Sequence, residues 1–173
     1  MSVSMKKTEE KAKKETTKRI SSVAGHLKRF IKEKNQYISI VPSVDDICLL
    51  YFRFMNTDGD NNEFKGGVYY GTITIPTTYP FTPPIVLFNT PTGVFPINDK
   101  FCVDSGHYHP ERYSPSLGFD GFVRNIWAGM IVWKDLIGGI NIQSTTVVEK
   151  VEIAQRSIEY NRLYNQHIIN LFE

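Results

Sequence analysis

The chain has 173 residues, of which 41% are apolar and 13% aromatic, so it is long enough for one globular domain with a hydrophobic core. Its formal net charge of +2 lacks the basic excess typical of proteins that mainly bind a nucleic-acid backbone. Two cysteines are too few for a disulfide framework and show no paired metal-ligand spacing, so we expect reduced thiols, no metal and no cofactor.

The N-terminal part combines a charged segment with a helical pattern. Residues 1–15 are rich in lysine and glutamate, which predicts a flexible charged tail before a folded domain of residues 16–173. From Thr16 onward, apolar residues recur at three- and four-residue spacing, which predicts a helix with one buried stripe. The stripe consists of Ile20, Val23, Ala24, Leu27, Phe30 and Ile31.

Four segments rich in β-branched and aromatic residues follow and predict strands. They are Tyr37–Val41, Ile47–Met55, Val68–Ile75 and Ile85–Phe88. Turn-forming residues between them, such as TDGDNN at 57–62, favour an antiparallel meander. Cys48 lies in an apolar run of the second segment, so we interpret it as an inert core residue.

The last part of the chain contains a long irregular segment and two helical patterns. Residues 89–117 have little periodicity, and so long a connection within a compact domain is usually functional; Cys102 lies inside it. Phe119–Val132 predicts a helix, and Thr145–Phe172 a second one that Asn161 is expected to break. The apolar face of the first predicted helix consists of Phe122, Val123, Ile126, Trp127 and Met130. The apolar positions of the second predicted helix are Val148, Val151, Ala154, Ile158, Leu163 and Ile168. The order of elements predicts an α+β domain.

Three segments carry a resemblance to a known family. They read GGVYYGTITIPTTYPFTPPIVLF at 66–88, KFCVD at 100–104 and YSPSL at 113–117. In this order and at nearly this spacing they resemble ubiquitin-conjugating enzymes, over residues 16–170. The resemblance implies the UBC-like fold, with an N-terminal helix, a four-stranded antiparallel meander, an active-site loop and C-terminal helices. It also implies an acyltransferase of the ATP-dependent ubiquitin pathway.

The loop sequences point to one branch of that family. Thr90–Phe95 reads TPTGVF and lacks the His-Pro-Asn that most members carry before the cysteine. It is similar to the Thr-Pro-Asn-Gly-Arg-Phe of the branch associated with endoplasmic-reticulum protein degradation, and His109–Tyr113 resembles that branch's His-Pro-Asp-Thr-Trp. Members of that branch usually end in a membrane anchor, whereas this chain ends at Glu173 without one. We expect a soluble divergent member or a truncated chain.

By this resemblance, Cys102 accepts ubiquitin or a ubiquitin-like protein from an activating enzyme as a thioester. It then passes the modifier, with a ligase, to a substrate lysine or to a Ser or Thr hydroxyl. Cysteine suits both steps because its thiolate is a strong nucleophile and a good leaving group near neutral pH. The two cysteines thus receive opposite interpretations, since Cys102 lies in a polar loop and Cys48 in an apolar strand.

Each attack creates a tetrahedral oxyanion, where a positioned donor is typically worth about 10²–10³ in rate. Thr92 occupies the motif position of the missing asparagine, Asn98 has the chemistry of an amide donor, and main-chain N–H groups near the cysteine are further candidates. Thr92 or Asn98 could instead merely form a turn. The resemblance implies only that one such group must be present.

The incoming lysine must be deprotonated and oriented, which a nearby carboxylate or imidazole can do. Asp135 lies about where the family places an acidic residue after its central helix, and Asp104 is the second carboxylate. His107 or His109 could accept the proton, although His109 precedes a proline and could instead fix the loop.

The resemblance also implies partner surfaces. Basic residues of the first helix would contact the activating enzyme, and that helix with two loops would contact the ligase. The residues concerned are Lys18, Arg19, Lys28, Phe81, Pro115 and Ser116. Phe81, at a loop tip bounded by prolines, is a natural anchor for a partner's pocket, although it could pack locally. The basic residues could simply form a solvated helix face.

Three rival interpretations remain open. The first is a catalytically impaired variant that acts as a binding adaptor. The second is a thiol hydrolase that uses Cys102 with His107 or His109. The third is a metal site of the same three residues, although their spacing fits no common zinc pattern.

The N terminus has no apolar signal-peptide core, and no stretch reaches the roughly 18 apolar residues that cross a bilayer. We therefore expect a monomer of the cytoplasm or nucleus, with association at the endoplasmic-reticulum surface only if an anchor has been removed.

Overall fold

The centre of the fold is one antiparallel sheet. The computed structural model describes residues 3–55, 63–102 and 110–173. The strands are β1 (Ile38–Pro42), β2 (Leu49–Met55), β3 (Val68–Thr74) and β4 (Ile85–Phe88), and they are hydrogen-bonded in the order β1-β2-β3-β4. This arrangement confirms the predicted four-stranded antiparallel meander.

Alternating side chains give the sheet one buried face. In β2 the buried positions are Leu50, Phe52 and Phe54. Phe52 pairs with Gly71 of β3, and a Cβ at Gly71 would lie 2.2 Å from the Phe52 ring, so only glycine leaves room for this ring. The aromatic core therefore depends on a glycine in a central strand.

Helix α2 (Gly118–Ile131) supplies much of the remaining core. Phe122, Val123, Ile126 and Met130 are at most 2% exposed, and Trp127 packs against the same core. This face confirms the predicted one, because its apolar residues recur at helical spacing and all of them contribute to the core. A short 3₁₀ helix, Trp133–Leu136, follows it.

Helix α1 (Val3–Lys32) is longer than predicted. It begins at Val3 and includes the charged segment that we expected to form a tail; Glu9–Lys13 and Glu10–Lys14 are four-residue pairs that favour a helix. Only its C-terminal half packs on the domain, since residues 7–18 are exposed. The division of the chain at residue 15 into tail and domain stays a prediction.

The apolar stripe of α1 was only partly correct. Val23 and Phe30 are buried, at 0% and 5% exposure, and Leu27 packs against the core. Ile20 is 40% exposed and Ile31 63% exposed, because the helix touches the domain along a narrower line than the pattern indicates. Periodicity alone does not reveal how wide the contact is.

Helix α3 (Val147–Tyr164) corrects a second prediction, since it runs through Asn161 without a break and gives way to the short α4 (Gln166–Ile169) only at Asn165. Its predicted apolar positions are largely exposed, with Val148 at 67%, Ile158 at 46% and Leu163 at 68%. The buried face is instead Lys150, Ala154, Ser157 and Asn161.

Two features are absent from the described residues. In the described part of the chain, no helix has both the length and the apolar content to cross a bilayer. No group of three or more His, Cys, Asp or Glu side chains within residues 3–55, 63–102 and 110–173 is arranged to hold a metal ion.

Candidate active site

Cys102 has a partly exposed, unpaired thiol. Its main-chain N–H donates to the Ile140 carbonyl at 2.9 Å, so this N–H is already used and is not available to an oxyanion. Cys48, by contrast, is 6% exposed, and burial raises the pKa of its thiol. The predicted burial of Cys48 in the core is confirmed, whereas Cys102 is partly exposed.

Aromatic packing anchors the residue before the nucleophile. Phe101 is 5% exposed, and its ring centroid lies 4.2 Å from that of Phe95 and 5.7 Å from that of Phe88. Phe88 ends β4, so Cys102 follows directly on a side chain that is fixed to the edge of the sheet. This packing limits how far the chain at Cys102 can move.

A glycine-rich turn lies beside the cysteine. A Cβ at Gly139 would be 3.8 Å from the Cys102 Cβ. Asn141, two residues later, has a φ of 59° and donates from Nδ2 to the Lys100 carbonyl at 2.7 Å and to the Asp99 carboxylate at 3.0 Å. The sequence analysis did not single out Asn141. An asparagine two residues after a pair of glycines, in the sequence Gly-Gly-Ile-Asn at 138–141, is the signal that could have found it, because asparagine tolerates left-handed backbone.

Thr92 is fully buried, and its hydroxyl serves the backbone of its own loop. The Oγ1 atom accepts from the N–H groups of Val94 and Phe95, at 3.0 and 2.7 Å, and donates to the Phe95 carbonyl at 3.2 Å. A side chain with no exposed surface cannot donate to an acyl group that arrives from solvent. The prediction of Thr92 as an oxyanion donor is therefore corrected, and the turn-forming alternative describes it.

Asn98 is exposed and has a φ of 54°. Its N–H donates to the Phe88 carbonyl at 2.7 Å, and its side-chain oxygen accepts from Asn89 Nδ2 at 2.7 Å. The two alternatives predicted for Asn98, a turn-forming residue and an amide donor, are therefore compatible. Its side-chain oxygen holds the turn, and its NH₂ group belongs to an exposed side chain. Asn98 keeps its place as the candidate donor.

Asp135 is exposed in the 3₁₀ helix Trp133–Leu136, which leads into the turn beside Cys102. This helix is held through Trp133, whose ring centroid lies 3.5 Å from Lys150 Nζ. Lys150 also donates to the Thr145 carbonyl at 2.6 Å and hydroxyl at 2.8 Å, and burial lowers its pKa. The position of Asp135 therefore depends on a buried cation that the sequence analysis did not single out.

Three predicted candidates cannot be placed. Asp104, His107 and His109 lie outside the described residues. Their proposed parts, as alternative carboxylate, proton acceptor, hydrolase partner or metal ligand, stay predictions.

The predicted ligase-facing residues come together on one surface. Phe81 is 79% exposed, so it does not pack against its neighbouring prolines. Two residues earlier, the Tyr79 hydroxyl contacts His26 Nδ1 of α1 and accepts from the Phe119 N–H at 2.9 Å. Pro115 and Ser116 are exposed. This surface joins the C-terminal half of α1, the Tyr79–Phe81 turn and the segment before α2.

Arg29 is the link between α1 and that segment. Its guanidinium donates to the Leu117 carbonyl at 2.8 Å, to the Ser116 carbonyl at 3.4 Å and to Asp120. The hydrogen bond to Asp120 raises the pKa of Arg29, whereas burial lowers the pKa of His26. The sequence analysis named neither His26 nor Arg29.

The three basic candidates occupy two places on α1. Lys28 is exposed beside Arg29 and so lies at the surface just described. Lys18 is exposed and Arg19 half-buried about 15 Å further toward the N terminus, given the helical rise of about 1.5 Å per residue. The helix thus presents two separate basic positions.

A buried polar network supports the loop that contains Thr92. Asn161 Oδ1 accepts from the Thr90 hydroxyl at 2.6 Å, and its Nδ2 donates to the Val68 carbonyl at 2.8 Å. The Thr90 hydroxyl in turn accepts from the Tyr70 N–H at 2.9 Å, and the Ser157 hydroxyl accepts from the Val68 N–H at 2.9 Å. Every one of these buried groups has a partner, which fixes α3 against β3 and the loop.

Comparisons with known proteins agree on one family. No model of a known protein family matches the chain. The chain is 31% identical over 130 residues to "Ubiquitin-conjugating enzyme E2 34" of Arabidopsis thaliana. This alignment covers 75% of this chain and 53% of that protein. The chain is 30% identical over 138 residues to "Ubiquitin-conjugating enzyme E2 J2-like" of Dictyostelium discoideum, which covers 79% of each.

A solved structure, the ubiquitin-conjugating enzyme E2 from Plasmodium falciparum, superimposes with a TM-score of 0.53 at 25% identity and covers 63% of this chain and 94% of that one. The match supports the fold that the sequence resemblance implies. The chain spans about half the length of several curated relatives, with 53%, 51% and 56% of three of them covered.

Proposed function

The chain belongs to the ubiquitin-conjugating enzyme E2 family, and on this premise we propose that Cys102 carries ubiquitin or a ubiquitin-like protein as a thioester. The observation that supports the proposal most directly is the partly exposed thiol of Cys102, held on the rigid Phe101 anchor while Cys48 is buried. A thiolate that is reachable and fixed in position is what acyl transfer requires.

In the first step, the Cys102 sulfur attacks the carbonyl carbon of the modifier's C-terminal glycine, which arrives as a thioester on the activating enzyme. A new carbon–sulfur bond forms, and the activating enzyme's thiolate leaves. In the second step, the neutral amine of a lysine attacks the same carbon. The carbon–nitrogen bond forms, Cys102 leaves as thiolate, and the amine proton passes to a base. A Ser or Thr hydroxyl is the alternative acceptor that the branch resemblance suggests.

The side chains near the cysteine receive separate parts in this proposal. Asn98 is the donor for the oxyanion, because its exposed amide precedes Cys102 on a turn that is fixed to Phe88. Asp135 orients the incoming lysine through its negative charge, because it is exposed on the element that leads to the turn beside Cys102. We propose that His109 fixes the loop that follows Cys102.

The exposed surface around Phe81, Pro115, Ser116 and Lys28 is proposed to bind the ligase, and Lys18 with Arg19 the activating enzyme. The separation of the two basic positions along α1 supports this division. We further propose a catalytic domain of residues 16–173 that acts as a monomer in the cytoplasm, where free thiols stay reduced.

A charging assay tests the proposal. The purified chain is incubated with ATP, activating enzyme and each of several ubiquitin-like modifiers, and the products are separated with and without reductant. We expect a reductant-sensitive adduct with one modifier. Cys102→Ser should form a reductant-resistant, hydroxylamine-sensitive ester instead.

Cys48→Ser is the matched control, and it should charge like the unaltered chain. A reducible adduct on Cys102→Ser would show that the wrong cysteine has been assigned. Absence of any adduct, together with binding to a ligase, would favour the adaptor. Hydrolysis of a ubiquitin thioester without prior charging would favour the thiol hydrolase.

A further inference from the structure

Two short segments are bound to each other at the cysteine. The Cys102 N–H donates to the Ile140 carbonyl at 2.9 Å, and Asn141 Nδ2 donates to the Lys100 carbonyl at 2.7 Å. The same Nδ2 donates to the Asp99 carboxylate at 3.0 Å. One amide group therefore binds both residues that lie between Asn98 and the Phe101–Cys102 pair.

The backbone at Asn141 restricts which residues can do this. Its φ of 59° lies in the left-handed region, which glycine and asparagine tolerate better than other residues. Glycine would fit the backbone but has no donor, and aspartate would place a second carboxylate against Asp99. Asparagine alone combines the conformation with an NH₂ group that can serve two acceptors.

The turn at Asp99 is contacted by Asn141 from the segment after α2. Asp99 is exposed, and its other carboxylate oxygen accepts from the Lys100 N–H at 2.7 Å, which is a contact within the turn itself. The Asn141 amide ties this turn to the segment after α2, beside the bond from the Cys102 N–H to the Ile140 carbonyl. Loss of the amide would loosen Asp99 and Lys100, while the bonds of Asn98 to Phe88 and Asn89 and the aromatic anchor at Phe101 stay in place.

We propose that Asn141 is a positioning residue for the acyl transfer on Cys102, which rests on the function proposed above. By holding the Asp99–Lys100 turn, it fixes the direction of the Asn98 amide relative to the sulfur. Because the Cys102 N–H is already bonded to Ile140, stabilisation of the oxyanion depends on such positioned side chains. Asn141 touches no reacting atom and acts through its neighbours.

Asn141→Gly is the decisive variant, because it keeps the left-handed backbone and removes only the amide. Asn141→Asp retains the shape and removes the donor. The matched control is Lys34→Gly, an exposed position two residues after the end of α1 that also has a left-handed φ, of 46°. All four chains are charged with modifier, and the thioester is discharged to free lysine over a range of lysine concentrations.

We expect the limiting discharge rate of both Asn141 variants to fall about tenfold, with the half-saturating lysine concentration and the thermal midpoint of Asn141→Gly unchanged. Lys34→Gly should match the unaltered chain. Discharge of Asn141→Gly at the unaltered rate would overturn the proposal, and so would a loss of folded structure that accounts for the lower rate. If the unaltered chain does not charge at all, the proposed function fails. If the unaltered chain charges and Asn141→Gly discharges at the unaltered rate, this inference alone fails.

Discussion

The Arg29 guanidinium binds both carboxylate oxygens of Asp120, with Nε–Oδ2 and Nη2–Oδ1 distances of 2.6 and 2.5 Å. The Asp120 side chain is 2% exposed and that of Arg29 41% exposed. Gly118 leaves space for the pair, since a Cβ there would lie 2.6 Å from Asp120 Oδ1 and 2.9 Å from Arg29 Nη2. The pair connects α1 to the first turn of α2.

Arg29→Ala should therefore destabilise the fold. The substitution leaves a buried carboxylate without its charged partner, and we expect the free energy of unfolding to fall by about 1–3 kcal/mol, less than for a fully buried pair because Arg29 is partly solvated. Urea unfolding measures the change. Lys28→Ala, on the exposed face of the same helix, should change it by less than about 0.5 kcal/mol. Equal effects of the two substitutions would show that the ion pair is not stabilising.

His26 should make stability depend on pH. Burial lowers its pKa below 6.5 in the folded chain, so the unfolded chain binds more protons between the two values. The free energy of unfolding should thus be highest above pH 6.5 and decline as the pH falls toward the folded pKa. Urea midpoints measured between about pH 7.5 and 5 for the unaltered chain and for His26→Gln isolate the contribution of His26 to the pH dependence. Parallel pH profiles would contradict it.

The buried cation Lys150 should be energetically coupled to Trp133. A double-mutant cycle with Lys150→Met and Trp133→Leu keeps most of the volume at both positions, and we expect a coupling energy of about 1–2 kcal/mol because the ammonium is desolvated over the ring. Unfolding of the four chains in urea measures it. A matched cycle with Lys134→Met, whose Nζ lies 5.7 Å from the same ring on an exposed side chain, should give less coupling. Coupling near zero for Lys150 would refute the contact.

Phe81→Ala should separate ligase function from folding. The side chain is 79% exposed, so we expect the thermal midpoint and the charging of Cys102 to be unchanged. Ligase-stimulated discharge should fall at least about tenfold, since an exposed aromatic anchor typically contributes 2 kcal/mol or more at an interface. Val44→Ala, at a residue that is 91% exposed on another turn, is the control. Normal ligase stimulation of Phe81→Ala would remove this surface from the proposal.

The parts of the fold that rest on apolar periodicity were predictable from the sequence. The four strands and the buried face of α2 have their apolar residues where the core requires them, so period and position coincide. The residues of the cysteine motif could be assigned through resemblance. Cys48 was identified as core from its apolar run alone.

The parts that rest on polar contacts were not predictable. The face of α3 buries Ser157 and Asn161, whose partners Val68 and Thr90 are distant in sequence. It also buries Lys150, which is hydrogen-bonded to Thr145 and lies over the Trp133 ring. No apolar pattern in the sequence indicates these contacts. For the same reason, Thr92 was predicted to be a site residue and is not, whereas Asn141 was not predicted and lies beside Cys102. A motif position suggested the first, whereas the contacts that define the second come from residues about forty positions earlier.

The hydrogen bonds of Asn161 connect α3 to the loop that contains Thr90 and to β3. Removing the chain from Asn161 onward would take away the acceptor of the Thr90 hydroxyl proton and the side-chain donor to the Val68 carbonyl, although neither Thr90 nor Val68 belongs to the deleted part. Since Thr90 and Thr92 share one loop, a cut or a truncation near the C terminus would disturb this loop although the loop lies far away in sequence. Shortened versions of this chain should therefore be made beyond Asn165, whose side chain also binds the Asn89 carbonyl at 3.0 Å.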